Sequence, residues 1–189
     1  MGYRSTVLIF IVVFGILFSL LYASQAVSSV NGNNCGESIK VVRAKAPFPI
    51  LLPAALPMGY SLQSVDYVPN VFVSLQYLTR SLCDPNSPYS VEEGVIEIVE
   101  GPLSQNSDAK SGGEYVQREL KKYEFSNINA TSFVFQNGRM HAVGYDVGPN
   151  YKAHLFVVDD KTGTLIKIEA RSANIQLKDL SKIGESLEE

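Results

Sequence analysis

Residues 131–170 read TSFVFQNGRMHAVGYDVGPNYKAHLFVVDDKTGTLIKIEA, and their reading decides the fold. Four runs rich in β-branched and aromatic residues, 131–136, 139–147, 151–158 and 165–170, are separated by short clusters of turn residues. Asn137-Gly138 is a strong hairpin signal because both residues tolerate positive φ. Gly148-Pro149-Asn150 turns the chain again, and Asp159-Asp160-Lys161-Thr162-Gly163 makes a third turn with Gly163 suited to a left-handed bulge position. Strands joined so tightly must run antiparallel, as a meander.

Working outward, 111–123 reads as a helix. Ser111 and Glu114 have capping-box spacing, and Val116, Leu120 and Tyr123 line one face at i, i+4 and i+7. Before it, 61–68 and 71–77 alternate in period two around a Pro69-Asn70 turn, and 95–99 is a further strand with Glu97 facing away from Ile96 and Ile98. Pro47, Pro49, Pro53 and Pro57 rule out a long helix and predict an extended apolar segment packed over the core, after a short strand at 39–42. At the other end, 177–187 predicts an amphipathic helix with Leu180, Ile183 and Leu187 toward the sheet. The class is α+β: a mostly antiparallel sheet, one inserted helix and one C-terminal amphipathic helix.

An apolar run at 7–23, broken only by Gly15 and Ser19, follows the single basic residue Arg4 and precedes Ser24-Gln25-Ala26. It is an export address, a signal or membrane helix that carries the rest of the chain out of the cytoplasm. A signal peptide cut before Val27 and an uncleaved anchor of roughly 25 Å, slightly short of the ~30 Å hydrocarbon slab, both remain open. Either gives three parts: a leader at 1–26, a Ser/Asn/Gly tether at 27–38 and an extracytoplasmic domain at 39–189.

Net charge is −3 and the pI about 5.5, which argues against a nucleic-acid partner. Arg118, Lys121 and Lys122 interleave with Glu114, Glu119 and Glu124 as a solvated helix face. The two cysteines, Cys35 and Cys83, both follow the leader, and an oxidising compartment would pair them, with a stabilisation of about 4 kcal/mol in the chain-entropy model. The residues before Cys35 lack a lipoprotein box, and Cys-x-x-Cys spacing is absent.

No phosphate-cradling loop, nucleophile elbow or His-Glu-x-x-His helix occurs, and Glu97 and Glu100 alone do not support hydrolysis. No cofactor and no catalysis are expected. A turn centred on Pro149 would put His141 and His154 on opposite faces; a one-residue slip restores one face but leaves them two or four residues out of register, roughly 7 or 13 Å. With no third ligand, they read as isolated strand histidines. Asp159 and Asp160 lack the ligand alternation of a calcium loop and read as turn formers. Asn129-Ala130-Thr131 is a glycosylation sequon. Ten tyrosines and no tryptophan edge the sheet, or Tyr60, Tyr77, Tyr145 and Tyr151 line an amphipathic ligand surface.

Leu56-Pro57-Met58-Gly59-Tyr60, the strand Val73-Ser74-Leu75-Gln76-Tyr77, and Leu177, Leu180, Ile183, Ser186 and Leu187 together resemble the motifs of a family of extracytoplasmic domains of unknown function. That family is found on anti-sigma-factor-like membrane proteins and prokaryotic lipoproteins, and the match runs in order from Leu56 to Leu187. The resemblance implies a relative of the lipoprotein-carrier and periplasmic sensor folds, with a curved sheet wrapped around a helix, and binding or regulation in place of catalysis. No cytoplasmic domain precedes the apolar run, so a direct anti-sigma role is not expected. A shorter resemblance, over 156–168, to protease-inhibitor-like domains rests on shared hairpin chemistry. The expected function is an exported binding or sensor domain, membrane-tethered or secreted. Its partner is an unknown protein or apolar ligand, with the membrane itself a partner through residues 7–23 if the leader stays. The alternatives are a carrier sheltering a lipid, and an unrecognised hydrolase. A large cavity between sheet and helix would favour the carrier; a filled core with an exposed apolar edge would favour protein binding.

Overall fold

Alternation in period two, which a half-buried strand requires, runs through most of the sheet. In β8 (Thr164–Arg171) the residues Thr164, Ile166, Ile168 and Ala170 are fully buried, while Leu165, Lys167 and Glu169 are half-buried on the other face. The computed structural model describes residues 38–79, 94–147, 152–171 and 174–189, all within one compact unit. The leader, nearly all of the tether, both cysteines and Tyr151 lie outside the described residues, and so do the expectations placed on them. Among the described residues no helix is long and apolar enough to cross a membrane.

Among the described residues, seven strands form one antiparallel sheet in the order β2 (Ser61–Val68), β3 (Phe72–Leu78), β4 (Val95–Pro102), β8, β7 (Ala153–Asp159), β6 (Met140–Asp146), β5 (Thr131–Phe135). The architecture is α+β, as the alternating runs imply. Helices α2 (Leu103–Asn106) and α3 (Gly112–Phe125) carry the chain from β4 to the far edge, and the meander β5 to β8 then returns to pair with β4.

Ser111 caps α3 by accepting from the Glu114 amide at 3.2 Å, whereas the Glu114 carboxylate reaches one residue further back, to the Lys110 amide at 2.9 Å. The β5–β6 connection turns through positive φ at Gln136, Asn137 and Gly138, and Gly163 also takes positive φ. Both turns match their sequence signals.

Two expectations are corrected. Residues 39–42 belong to helix α1 (Ile39–Lys45) and not to a strand, because Ile39, Val42 and Ala46 turn one apolar side to the core at helical spacing. The terminal helix, α4 (Leu177–Glu185), stops before Leu187, which lies in β9 (Leu187–Glu188) opposite β1 (Leu52–Pro53) and is still buried. α4 carries a capping box, Gln176 with Asp179, and the Leu177 amide donates to Asp146 Oδ1 at 2.9 Å.

The larger core lies on the face that α4 and the N-terminal arm cover. Leu180 and Ile183 of α4 and Phe48, Ile50 and Leu51 of the arm pack on Leu75, Ile98, Leu155 and Ile168. Leu56 and Tyr60 lie at the margin of this core, Val73, Leu75 and Tyr77 of β3 and Leu177, Leu180, Ile183 and Leu187 lie within it, and Met58 is exposed. A smaller core fills the opposite face, where Tyr115, Val116 and Tyr123 of α3 cover Val143 and Val158.

Gly144 lets α4 approach β6. A Cβ there would collide with Leu177 Cδ1 and lie 2.6 Å from the His154 carbonyl oxygen and 3.0 Å from Leu155 Cδ1. Gly144→Ala is expected to cost about 1–3 kcal/mol through overpacking, measured as a drop in the urea midpoint with unchanged slope. An unaltered midpoint would show that both α4 and the β7 backbone at His154 can shift to make room.

Candidate functional site

Among the described residues, Glu100, Asp159 and Thr164 are fully buried polar groups on strands that carry the larger core. Asp159 ties down the last hairpin. It accepts from the Lys161 amide at 3.0 Å, from Thr162 Oγ1 at 3.0 Å, and from Arg139 Nε and Nη2 at 2.9 and 2.6 Å. Burial opposes its charge, but these donors outweigh it and hold the carboxyl below its ordinary range.

Glu100 is different. Its Oε2 accepts from the Leu51 amide at 2.9 Å, and its Oε1 is buried with no hydrogen-bond partner. Burial pushes its carboxyl up to about 8, against the pull of the Leu51 amide and the Arg43 charge. Tyr77, on the same face and also raised by burial and then by Glu100, is a core residue. Extending the alternation of Ile96 and Ile98 by two residues would have put Glu100 on the buried face in advance.

On the opposite face, register brings together residues that the sequence scatters. Gln76, Glu97, Glu169, His154 and Tyr145 stand directly opposite one another across β3, β4, β8, β7 and β6. Glu97 accepts from Ser74 Oγ at 3.0 Å and lies 3.4 Å from Arg171 Nη2. Glu169 is paired with Lys167, and although burial opposes its charge, that partner holds it ionised and below its ordinary range. His154 Nδ1 lies 2.9 Å from Glu169 Oε1 in poor alignment for a hydrogen bond, and its ring stacks on Tyr145 at 5.0 Å. Burial lowers its pKa despite the carboxylate, so the ring is neutral at pH 7.

The two histidines share this face, which corrects the opposite-face alternative. His154 pairs with Tyr145 while His141 pairs with Val158, four residues away along β6, or roughly 13 Å. His141 stands instead beside Gly112 at the start of α3, near Asp160, whose Oδ1 accepts the Gly112 amide at 2.6 Å. Among the described residues no group of three or more His, Cys, Asp and Glu could hold a metal.

Of the four tyrosines, Tyr151 lies outside the described residues, and the three that are described do not share one surface. Tyr77 and Tyr60 belong to the larger core, and Tyr145 joins Tyr123 on the other face with ring centroids 4.7 Å apart. Asn129 is exposed in the loop that enters β5. A surface pocket of about 470 Å³ beside β9 is lined by Gln136, Arg139, Lys161, Ser186 and Glu189, among others. Glu189 already lies between its cations, 3.5 Å from Arg139 and 3.0 Å from Lys161.

The sheet's two edges differ. β2 carries a bulge between Leu62 and Ser64 and an exposed charge at Asp66, the devices that discourage strand addition. β5 has none of them: Thr131, Ser132, Phe133, Val134 and Phe135 include no charge and no proline, and the strand pairs in unbroken register with β6 and with no other strand among the described residues. Val134 is 64 % exposed, and Phe125 and Ile128, which lead into this edge, are 92 % and 36 % exposed. No family model matches the chain, and no curated protein matches it either.

Proposed function

We propose that this is an exported, non-catalytic binding domain that receives an extended segment of a partner along β5. The carrying observation is the asymmetry of the edges: β2 is bulged and charged, while β5 is regular, uncharged and flanked by exposed apolar side chains. The core residues beneath α4 and the arm are packed to zero or near-zero exposure, which supports protein binding over carriage of a lipid. The pairing of each row carboxylate with its own cation, with neutral His154 beside them, supports a positioning surface over hydrolytic chemistry. The apolar run at 7–23 supports export, and the resemblance to extracytoplasmic domains agrees with both.

The test is selection of short extended peptides against the chain, followed by amide hydrogen exchange. Bound peptide is expected to slow exchange along β5 and leave β2 unaffected. Val134→Lys should abolish binding without shifting the melting curve, since the side chain is mostly exposed. Protection confined to another surface would sink the assignment.

A further inference from the structure

We infer that the segment received along β5 is β5 of a second copy of this chain, so that two seven-stranded sheets join into one. This rests on the reading of β5 as a docking edge and names its occupant. An isologous contact requires the strand to be complementary to itself. Antiparallel pairing centred on Phe133 sets Thr131 opposite Phe135 of the second copy, Ser132 opposite its Val134, and Phe133 opposite its own equivalent.

No charge opposes its like in that register, because the strand has none. On the face that α3 covers, each exposed Val134 gains a small serine as its direct neighbour. On the other face, Phe133 and Phe135 already stack within one chain, with centroids 5.7 Å apart and planes inclined by 20°. The two-fold axis would prolong that pair into a continuous aromatic row. β2 could not pair with itself in this way, since its bulge interrupts the register.

A five-residue strand pair buries little area, so the contact belongs to the weak and reversible class. Tethering two copies to one membrane would raise their effective concentration and make the association responsive to crowding.

The experiment measures sedimentation of the full chain in mild detergent over a wide concentration range. The wild type should pass reversibly from monomer to dimer. Val134→Glu and Ser132→Lys should each weaken the dimer at least tenfold. The double variant should restore it, because the ammonium introduced at position 132 of each copy then faces the carboxylate introduced at position 134 of the other. Both positions are exposed, so unchanged melting curves serve as the folding control. A dimer untouched by the single variants, or single variants that weaken with no rescue in the double, would overturn the self-pairing. A wild type that stays monomeric while selected peptides still protect β5 would overturn the second copy as occupant and leave the docking edge standing. Loss of both would remove the edge as well.

Discussion

Replacing Leu180 and Ile183 together by alanine is expected to leave the chain unable to hold its fold near physiological temperature. Both side chains are buried to within 1 % of completely and lie in the core that α4 closes over the sheet. Each truncation removes transfer free energy and leaves a cavity, at about 2–5 kcal/mol per site. The two positions are neighbours on one helix face and so will not add strictly. Even a partial sum consumes most of the ~5–15 kcal/mol that an ordinary domain has in hand. Melting followed by circular dichroism should show a midpoint many degrees lower or no cooperative transition. A curve that matched the wild type would mean that α4 is not part of the cooperative unit.

The second large effect is a pH dependence that Glu100→Gln should abolish. The buried carboxyl titrates near 8 in the folded chain against an ordinary value of 4.5. Between those values the native state keeps a proton that the unfolded chain has released, so stability falls as pH rises. The contribution is fully present below about 4.5, declines through the window and is flat above 8. At about 1.4 kcal/mol per unit the loss is on the order of 5 kcal/mol. Glutamine keeps the acceptor for the Leu51 amide and carries no charge. The difference in unfolding free energy between variant and wild type should therefore be small near pH ~5 and should favour the variant by several kcal/mol near pH ~9. A difference that does not change with pH would show that Glu100 finds another way to shed or neutralise its charge.

Local signals in the sequence suffice where one residue type has one physical use. Asn137-Gly138 and Gly163 occupy the positive-φ turns they predict, and the alternation through β6, β7 and β8 fixes which side chains enter the core. At α1 the local signal misleads, because Val41-Val42 has strand propensity, while the spacing of Ile39, Val42 and Ala46, which tertiary packing rewards, is helical. Leu187 reads as part of a helix because its burial is real; its pairing with Pro53 depends on a strand more than a hundred residues earlier. The same limit hides the row from Gln76 to Tyr145. Its members are scattered along the sequence, and Glu97, His154 and Tyr145 stand out there for other reasons, until register across five strands lines them up. The contrast between the edges is legible only in half: the sequence shows that 131–135 is uncharged, and the sheet order shows that it lies at an edge.

The pairing of β1 with β9 joins Leu52 to Glu188, and the Ala55 amide donates to Ser186 Oγ nearby. A chain that emerges N-terminus first, from a ribosome or an export channel, therefore presents its arm long before the partners that will hold it. Phe48, Ile50 and Leu51 must wait, first for β4 to bring Glu100 to the Leu51 amide, and then for the last two strand residues. Such a long-range closure is entropically late. Completion of the domain thus reports arrival of its far end. A molecule stalled short of Leu177 would keep its apolar arm and half the sheet bare, a form that quality-control proteases can distinguish from the finished one by surface alone.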